Sequence, residues 1–471
     1  LRFFAIGDQR MPLAIVHALA QIKRAAAEVN ADLGLLDPKR AAAVAEACER
    51  IAAGDYDPQF PLSVWQTGSG TQSNMNVNEV VAHLASRALV AAHDQGPTVH
   101  PNDEVNLGQS SNDVFPTAMH LAAVLHTRPL LASLGELRAA LRAKAGAFSV
   151  VLKVGRTHLQ DATPITFGQE FGGYDAQLAV AEAAIRRSLP DVQALAIGGT
   201  AVGTGLNTHP EFGARVAAVL AHRLDAPFVV ADNLFAAMAG HEALVGLHGA
   251  LRSLAVALNK IANDIRLMGS GPRAGIGELK LPANEPGSSM MPGKVNPTQV
   301  EALTMVCAQV MGHDVAIGIA AGQGQFELNA YKPLIALNLL DSLRLLSDAM
   351  ASFRQHCVEG LKVDRQRVES LVANSLIGAT ALVPHIGYDR ASQIARHAHA
   401  HQLDLRQAAL EVGGISAAEC DAWVDLHRMA TRGHAQTQNP PSTPSSPVSG
   451  DSDDPVLLQP RPQPDEGGAL S

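Results

Sequence analysis

The chain has 471 residues, a formal net charge of −9 and only 4% aromatic side chains. A chain of this length buries a large core and divides into two or three domains, and its Ala- and Leu-rich, aromatic-poor composition favours packed helices over sheets. The acidic balance supplies no basic field for a polynucleotide, so no nucleic-acid partner is expected. Cys48, Cys307, Cys357 and Cys420 lie too far apart for a zinc site or a disulfide framework, which points to a reducing compartment.

The opening segment LRFFAIGDQR is interrupted by Asp8 and Arg10 before any signal-like run develops. No apolar run is expected to reach the roughly 18 residues of a membrane span, so no membrane partner is expected. Two polar loops follow, 66–76 (QTGSGTQSNMN) and 100–113 (HPNDEVNLGQSSND). Their hydroxyls and amides can orient a small polar ligand without adding charge, although such runs also serve as plain turns and caps.

Apolar periodicity predicts a helix over about 117–147. A third loop, 155–164 (GRTHLQDATP), sets His158 between hydroxyl and amide neighbours, where an imidazole can relay a proton near neutral pH or merely satisfy backbone groups. Helices are predicted over about 168–188 and 244–268. In the second, Leu244, Leu247, Leu251, Leu254, Leu258, Ile261, Ile265 and Met268 recur every three or four residues.

The densest loop is 287–297 (GSSMMPGKVNP). Its ending predicts a helix capped by Asn296 with Pro297 in the first turn, and the free N–H groups there favour an anion beside Lys294. A surface loop with an ordinary cap is the plainer reading. Helices are predicted over about 298–320 and 334–357, and stripes on more than one face predict a homo-oligomer. After Arg432 the Pro-, Ser- and Asp-rich composition cannot support a core, and residues 433–471 read as a disordered tail.

Taken together, these loops resemble the class II, iron-independent fumarases of the fumarase/aspartase superfamily, from about Gly7 to about Arg432. The superfamily loop GSSxMPxKxN is present in full at 287–296. Gln109-Ser110-Ser111-Asn112-Asp113, the run 198–207 (GGTAVGTGLN) and the run 326–333 (FELNAYKP) incline toward fumarase, since aspartases tend to carry Thr at the place of Ser111 and lack a lysine at that of Lys332.

The resemblance implies a mainly α, three-domain fold with a long central helical bundle, divided at 1–109, 110–365 and 366–432. The family's N-terminal Trp-Gly-Ala-Gln-Thr segment is not within this sequence. The resemblance further implies a homotetramer whose active sites draw on three subunits, no cofactor or metal, and reversible anti addition of water to fumarate to give (S)-malate. Aspartate ammonia-lyase, or another superfamily dicarboxylate lyase, is the alternative.

By motif position, Ser288 resembles the general base, His158 the residue that handles water, and Glu301 its acidic partner. Lys294, Val295, Asn296 and Ser289 would hold the carboxylate whose charge grows in a carbanion-like intermediate. Ser69, Gly70, Thr71, Ser110, Ser111, Asn112 and Thr157 would orient the substrate. His100, Pro101, Asn102 and Asp103 match a second anion site of unassigned role. A cytoplasmic location is implied, or a mitochondrial matrix in a eukaryote.

Overall fold

The computed structural model describes residues 3–92, 98–285 and 290–431. The tail expected to be disordered, and Ser288 and Ser289, lie outside the described residues.

In chain order the principal helices are α1 (Leu13–Asp32), α2 (Pro38–Ala52), α3 (Thr71–Ala92) and α4 (Ser111–Ala147), then a hairpin of β1 (Leu152–Thr157) and β2 (Gln160–Thr166). There follow α5 (Phe167–Val192), α6 (Phe212–Leu224), α7 (Leu234–Ala239), α8 (Glu242–Met268), α9 (Thr298–Ala321), α10 (Lys332–Phe353) and α11 (Arg365–Ala373). Short helices occupy Val383 to Thr431. Besides the hairpin, two-residue ladders join Ala194–Leu195 to Val229–Val230 and Leu279–Lys280 to Lys362–Val363.

Five of these helices close a ring: α4 packs on α5, α5 on α8, α8 on α9, α9 on α10, and α10 back on α4. The α8 stripe explains why the ring closes. All eight of its apolar positions from Leu244 to Met268 are buried, and each such side chain contributes about 1.5–3 kcal/mol of transfer free energy. α1 lies against α2, α4 and α6, so the N-terminal helices share one apolar core with the bundle. A second cluster around Leu382, Ile394, Ala408 and Cys420 forms a separate small core.

The structure revises several sequence expectations. α4 begins at Ser111, not near 117, because Ser110 and Asp113 form a reciprocal capping box that starts the helix upstream of Pro116. The 155–164 loop is an antiparallel hairpin. Its last pair, Thr157 and Gln160, encloses the two-residue turn His158-Leu159, both at positive φ (56° and 62°), the twist that suits a tight hairpin. Asn296 does not cap α9; Pro297 occupies that position, and the helix starts at Thr298. α9 is also long and apolar enough by composition to cross a membrane, contrary to expectation, with a mean hydropathy of 1.4 in its best window. It nevertheless carries Glu301 and Asp314 and packs between α8 and α10.

Candidate active site

Two helix N-termini meet at the centre of the polar segments. α3 starts at Thr71, directly after Ser69-Gly70, and α4 starts at Ser111, directly after its cap Ser110. Asn74 on α3 bridges them, its Nδ2 donating to Ser111 Oγ at 3.1 Å. The positive ends of two helix dipoles favour an anion at such a place. The lining is hydroxyl-rich: Ser69 Oγ lies 2.8 Å from Thr71 Oγ1 and 3.4 Å from Thr67 Oγ1.

Glycine permits this convergence. Gly68 packs so closely on the 326–333 run that a Cβ there would sit 1.4 Å from the Ala330 carbonyl oxygen, and Gly68 O accepts from Lys332 N at 3.0 Å. Gly70 has φ +78°, and a Cβ there would lie 2.3 Å from the Phe115 ring. The glycine-rich 198–207 run joins from the other side: Asp113 Oδ2 accepts from Gly198 N at 3.1 Å and Thr200 N at 3.0 Å, while Asn112 Nδ2 donates to Ala201 O at 2.9 Å. Burial pushes the Asp113 carboxyl up to about 6, against the downward pull of the Ser110, Thr200 and Gly198 N–H donors and the Lys23 charge. Lys332 is buried with its Nζ donating to Asn329 O at 2.7 Å, and burial brings its amine down to about 8.

The structure thus brings together Ser69, Gly70, Thr71, Ser110, Ser111 and Asn112. It does not bring the other expected site residues to them within one chain. Thr157 and His158 stand exposed at the hairpin tip, and among the described residues His158 makes no hydrogen bond or ion pair. Lys294, Val295 and Asn296 are exposed, as is Glu301 in the first turn of α9, and no ion pair among the described residues joins Glu301 to His158.

The hairpin is nonetheless firmly anchored. Arg156, next to Thr157, makes paired hydrogen bonds to the fully buried Glu278 at 2.7 and 3.0 Å. Buried Lys153 contacts both Glu170 oxygens at 2.9 and 3.0 Å and lies 3.5 Å from Glu278. Thr166, the last residue of β2, is also the N-cap of α5, closed by Gln169. The charged pairs and the cap together fix where the tip stands relative to α5.

The 100–105 segment is a cap and a single π-helical turn, Pro101–Val105, in which His100 Nδ1 accepts from Asp103 N at 3.1 Å. Asn102 and Asp103 are exposed, and Glu104 pairs with Arg40.

Sequence reasoning missed Lys23, and it placed Asn74 and Asn106 in the polar loops without a role of their own. Lys23 is fully buried on α1 and donates to Asn106 Oδ1 at 2.7 Å and Gln109 Oε1 at 2.9 Å. Its signal was a lone charge within the apolar α1 stripe that includes Leu19 and Ala26. Burial brings its amine down to about 7, with Asp113 and Cys48 acting in the opposite direction.

A ring of long helices with hydroxyl and amide side chains gathered at paired helix N-termini is an architecture this chain shares with the helical lyases. Residues 4–312 match the family model described as Lyase, and residues 379–431 match the model described as Fumarase C C-terminus. The chain is 60% identical to the class II fumarate hydratase of Chromobacterium violaceum, over 90% of its own length and 92% of that protein's. It is 57% identical to that of Thermosynechococcus vestitus, over 91% and 92%. The crystal structure of class II fumarase from Schistosoma mansoni superposes with a TM-score of 0.89 at 45% identity, covering 92% of this chain and 94% of that one. A 3-carboxy-cis,cis-muconate lactonizing enzyme from Pseudomonas putida, at 23% identity and a TM-score of 0.72, shares the fold. The chain belongs to the class II fumarate hydratase family.

Proposed function

We infer that this enzyme hydrates fumarate reversibly to (S)-malate. The observation that carries the reading is the cradle itself: the α3 and α4 N-termini, with Ser69, Thr71, Ser110, Ser111 and Asn112, suit a small dicarboxylate in charge and donor content. In the dehydration direction a base takes the C3 proton of malate and the electron pair delocalises into the adjacent carboxylate; the pair then forms the C2–C3 double bond as the C2–O bond breaks, and the departing hydroxyl takes a proton to leave as water.

By motif position Ser288 is the base, and Lys294 and Asn296 stabilise the carboxylate on which charge grows. His158, at the exposed hairpin tip, handles the water. The separation of His158 from the cradle within one chain supports a site completed by other copies of the chain. So does α9, on which Met305, Val315 and Ile319 are 67%, 62% and 63% exposed. A homotetramer with shared sites accommodates both. The four free, buried cysteines suit a reducing compartment such as the cytoplasm.

The test is fumarate absorbance in the ultraviolet, with malate or aspartate supplied to purified enzyme and to a Ser288→Ala variant. Signal from malate that is lost in the variant is expected. Signal from aspartate alone would transfer the assignment to ammonia-lyase chemistry.

A further inference from the structure

Lys23 sits behind the cradle, not in it, and its contacts have a direction. A lysine amine in a hydrogen bond to an amide oxygen is the donor, so Asn106 and Gln109 must both turn their oxygens toward it. Their NH2 groups are committed elsewhere, Asn106 Nδ2 to Gln109 O at 3.2 Å and Gln109 Nε2 to Val105 O at 3.1 Å and Leu107 O at 3.2 Å. The Asn106 oxygen in turn dictates how Asn74 lies: its Nδ2 donates to Asn106 Oδ1 at 3.3 Å and to Ser111 Oγ at 3.1 Å. Asn78 reinforces the same acceptor from the next turn of α3, at 3.2 Å. Ser111 therefore receives a hydrogen bond from behind, and its own O–H is left to donate forward, beside Asn112 and the first turn of α4.

We propose that Lys23 is a positioning residue for the substrate carboxylate: through Asn106 and Asn74 it sets the direction of the hydrogen bonds, so that the Ser111 hydroxyl donates toward the substrate. Had Asn106 turned its NH2 toward α3, Asn74 would present its oxygen to Ser111, and the hydroxyl would spend its hydrogen inward. The amine supplies two N–H donors whether protonated or neutral, so the lowering of its pKa by burial leaves this arrangement intact. The proposal rests on the fumarate hydratase reading and deepens it.

The experiment compares wild type, Lys23→Met, Ser111→Ala and the double variant for kcat and KM with malate. Succinate, a saturated four-carbon dicarboxylate that cannot react, serves as inhibitor and as calorimetric ligand. Loss of one directed hydrogen bond to a charged group should raise KM and the succinate constants about 10-fold in Lys23→Met, with kcat changed less than about 3-fold. In the Ser111→Ala background the same substitution should change them less than about 2-fold, since the effect has nothing left to act through. A merely structural lysine would produce equal changes in both backgrounds, and that result overturns the proposal. So does a folded Lys23→Met enzyme with unchanged constants. Should Lys23→Met not fold, Asn74→Leu carries the same comparison; failure of both to fold assigns the network to scaffolding and also overturns the proposal. A wild-type enzyme inactive on malate sinks the fumarate hydratase reading, whereas succinate calorimetry still reads the Lys23 effect.

Discussion

The Asp113 carboxylate accepts the backbone N–H of Thr200 at 3.0 Å across 87 residues of sequence. One side chain thereby starts α4, through its bond from Ser110 N, and ties the glycine-rich 198–207 run to the same helix end.

Replacing Asp113 by Asn puts an NH2 group against one of these N–H donors, and a buried donor left without an acceptor costs about 1–3 kcal/mol. The variant should melt below wild type at pH 4. The folded state raises this carboxyl from its ordinary 3.8 to about 6, so it binds the proton more tightly than the unfolded chain does. The contribution of Asp113 to stability is then fully present below about pH 4 and falls as pH rises through about 6. The gap in melting temperature between wild type and Asp113→Asn should therefore narrow from pH 4 to pH 7. A gap that widens over this range would contradict the assignment.

Gly68→Ala tests the contact between the cradle and the 326–333 run. With the Ala330 oxygen 1.4 Å from the new Cβ, the backbone must move and the Lys332 N to Gly68 O bond must break. Overpacking of this kind costs about 1–3 kcal/mol or more. Thermal unfolding should report the loss, with kcat/KM for malate falling alongside it, because Ser69 and Thr71 move with Gly68.

Arg156→Leu would leave Glu278 buried with Lys153 at 3.5 Å as its remaining cation. Breaking one side of a buried pair costs about 3–5 kcal/mol. The hairpin tip carrying His158 should loosen, seen as faster hydrogen exchange over 152–166 and lower activity. Unchanged exchange there would separate the ion pair from the placement of His158.

Ile319→Glu introduces a charge on the exposed apolar face of α9. If copies of the chain bury that face, the change should shift the enzyme toward smaller species in light scattering and reduce activity, since a shared site is lost with its partner. A variant that keeps its mass and activity would move the interface elsewhere.

The long helices were legible because each records its buried face in its own periodicity; the α8 stripe from Leu244 to Met268 is the clearest case. The hairpin at 152–166 was not. Its tip is two non-glycine residues at positive φ, His158 and Leu159, which lack the Asn-Gly pattern that marks such turns. The α4 start was missed because apolar periodicity placed the helix from about 117, whereas the Ser110–Asp113 capping box, a polar signal outside that period, starts it at Ser111.

By itself the sequence determined the helical class, the family loop at 287–296 and the identity of the hydroxyl and amide side chains, since composition, period and motif are properties of neighbouring residues. Only the tertiary structure decided that the 66–76, 109–113, 198–207 and 326–333 runs meet at two helix ends, and that Lys23 stands behind them. Those meetings depend on hydrogen bonds between residues far apart in the chain, such as Lys23 to Asn106 and Asp113 to Thr200, 83 and 87 positions apart. A bond of that span closes only when the intervening helices have packed, so it leaves no periodic trace in the chain.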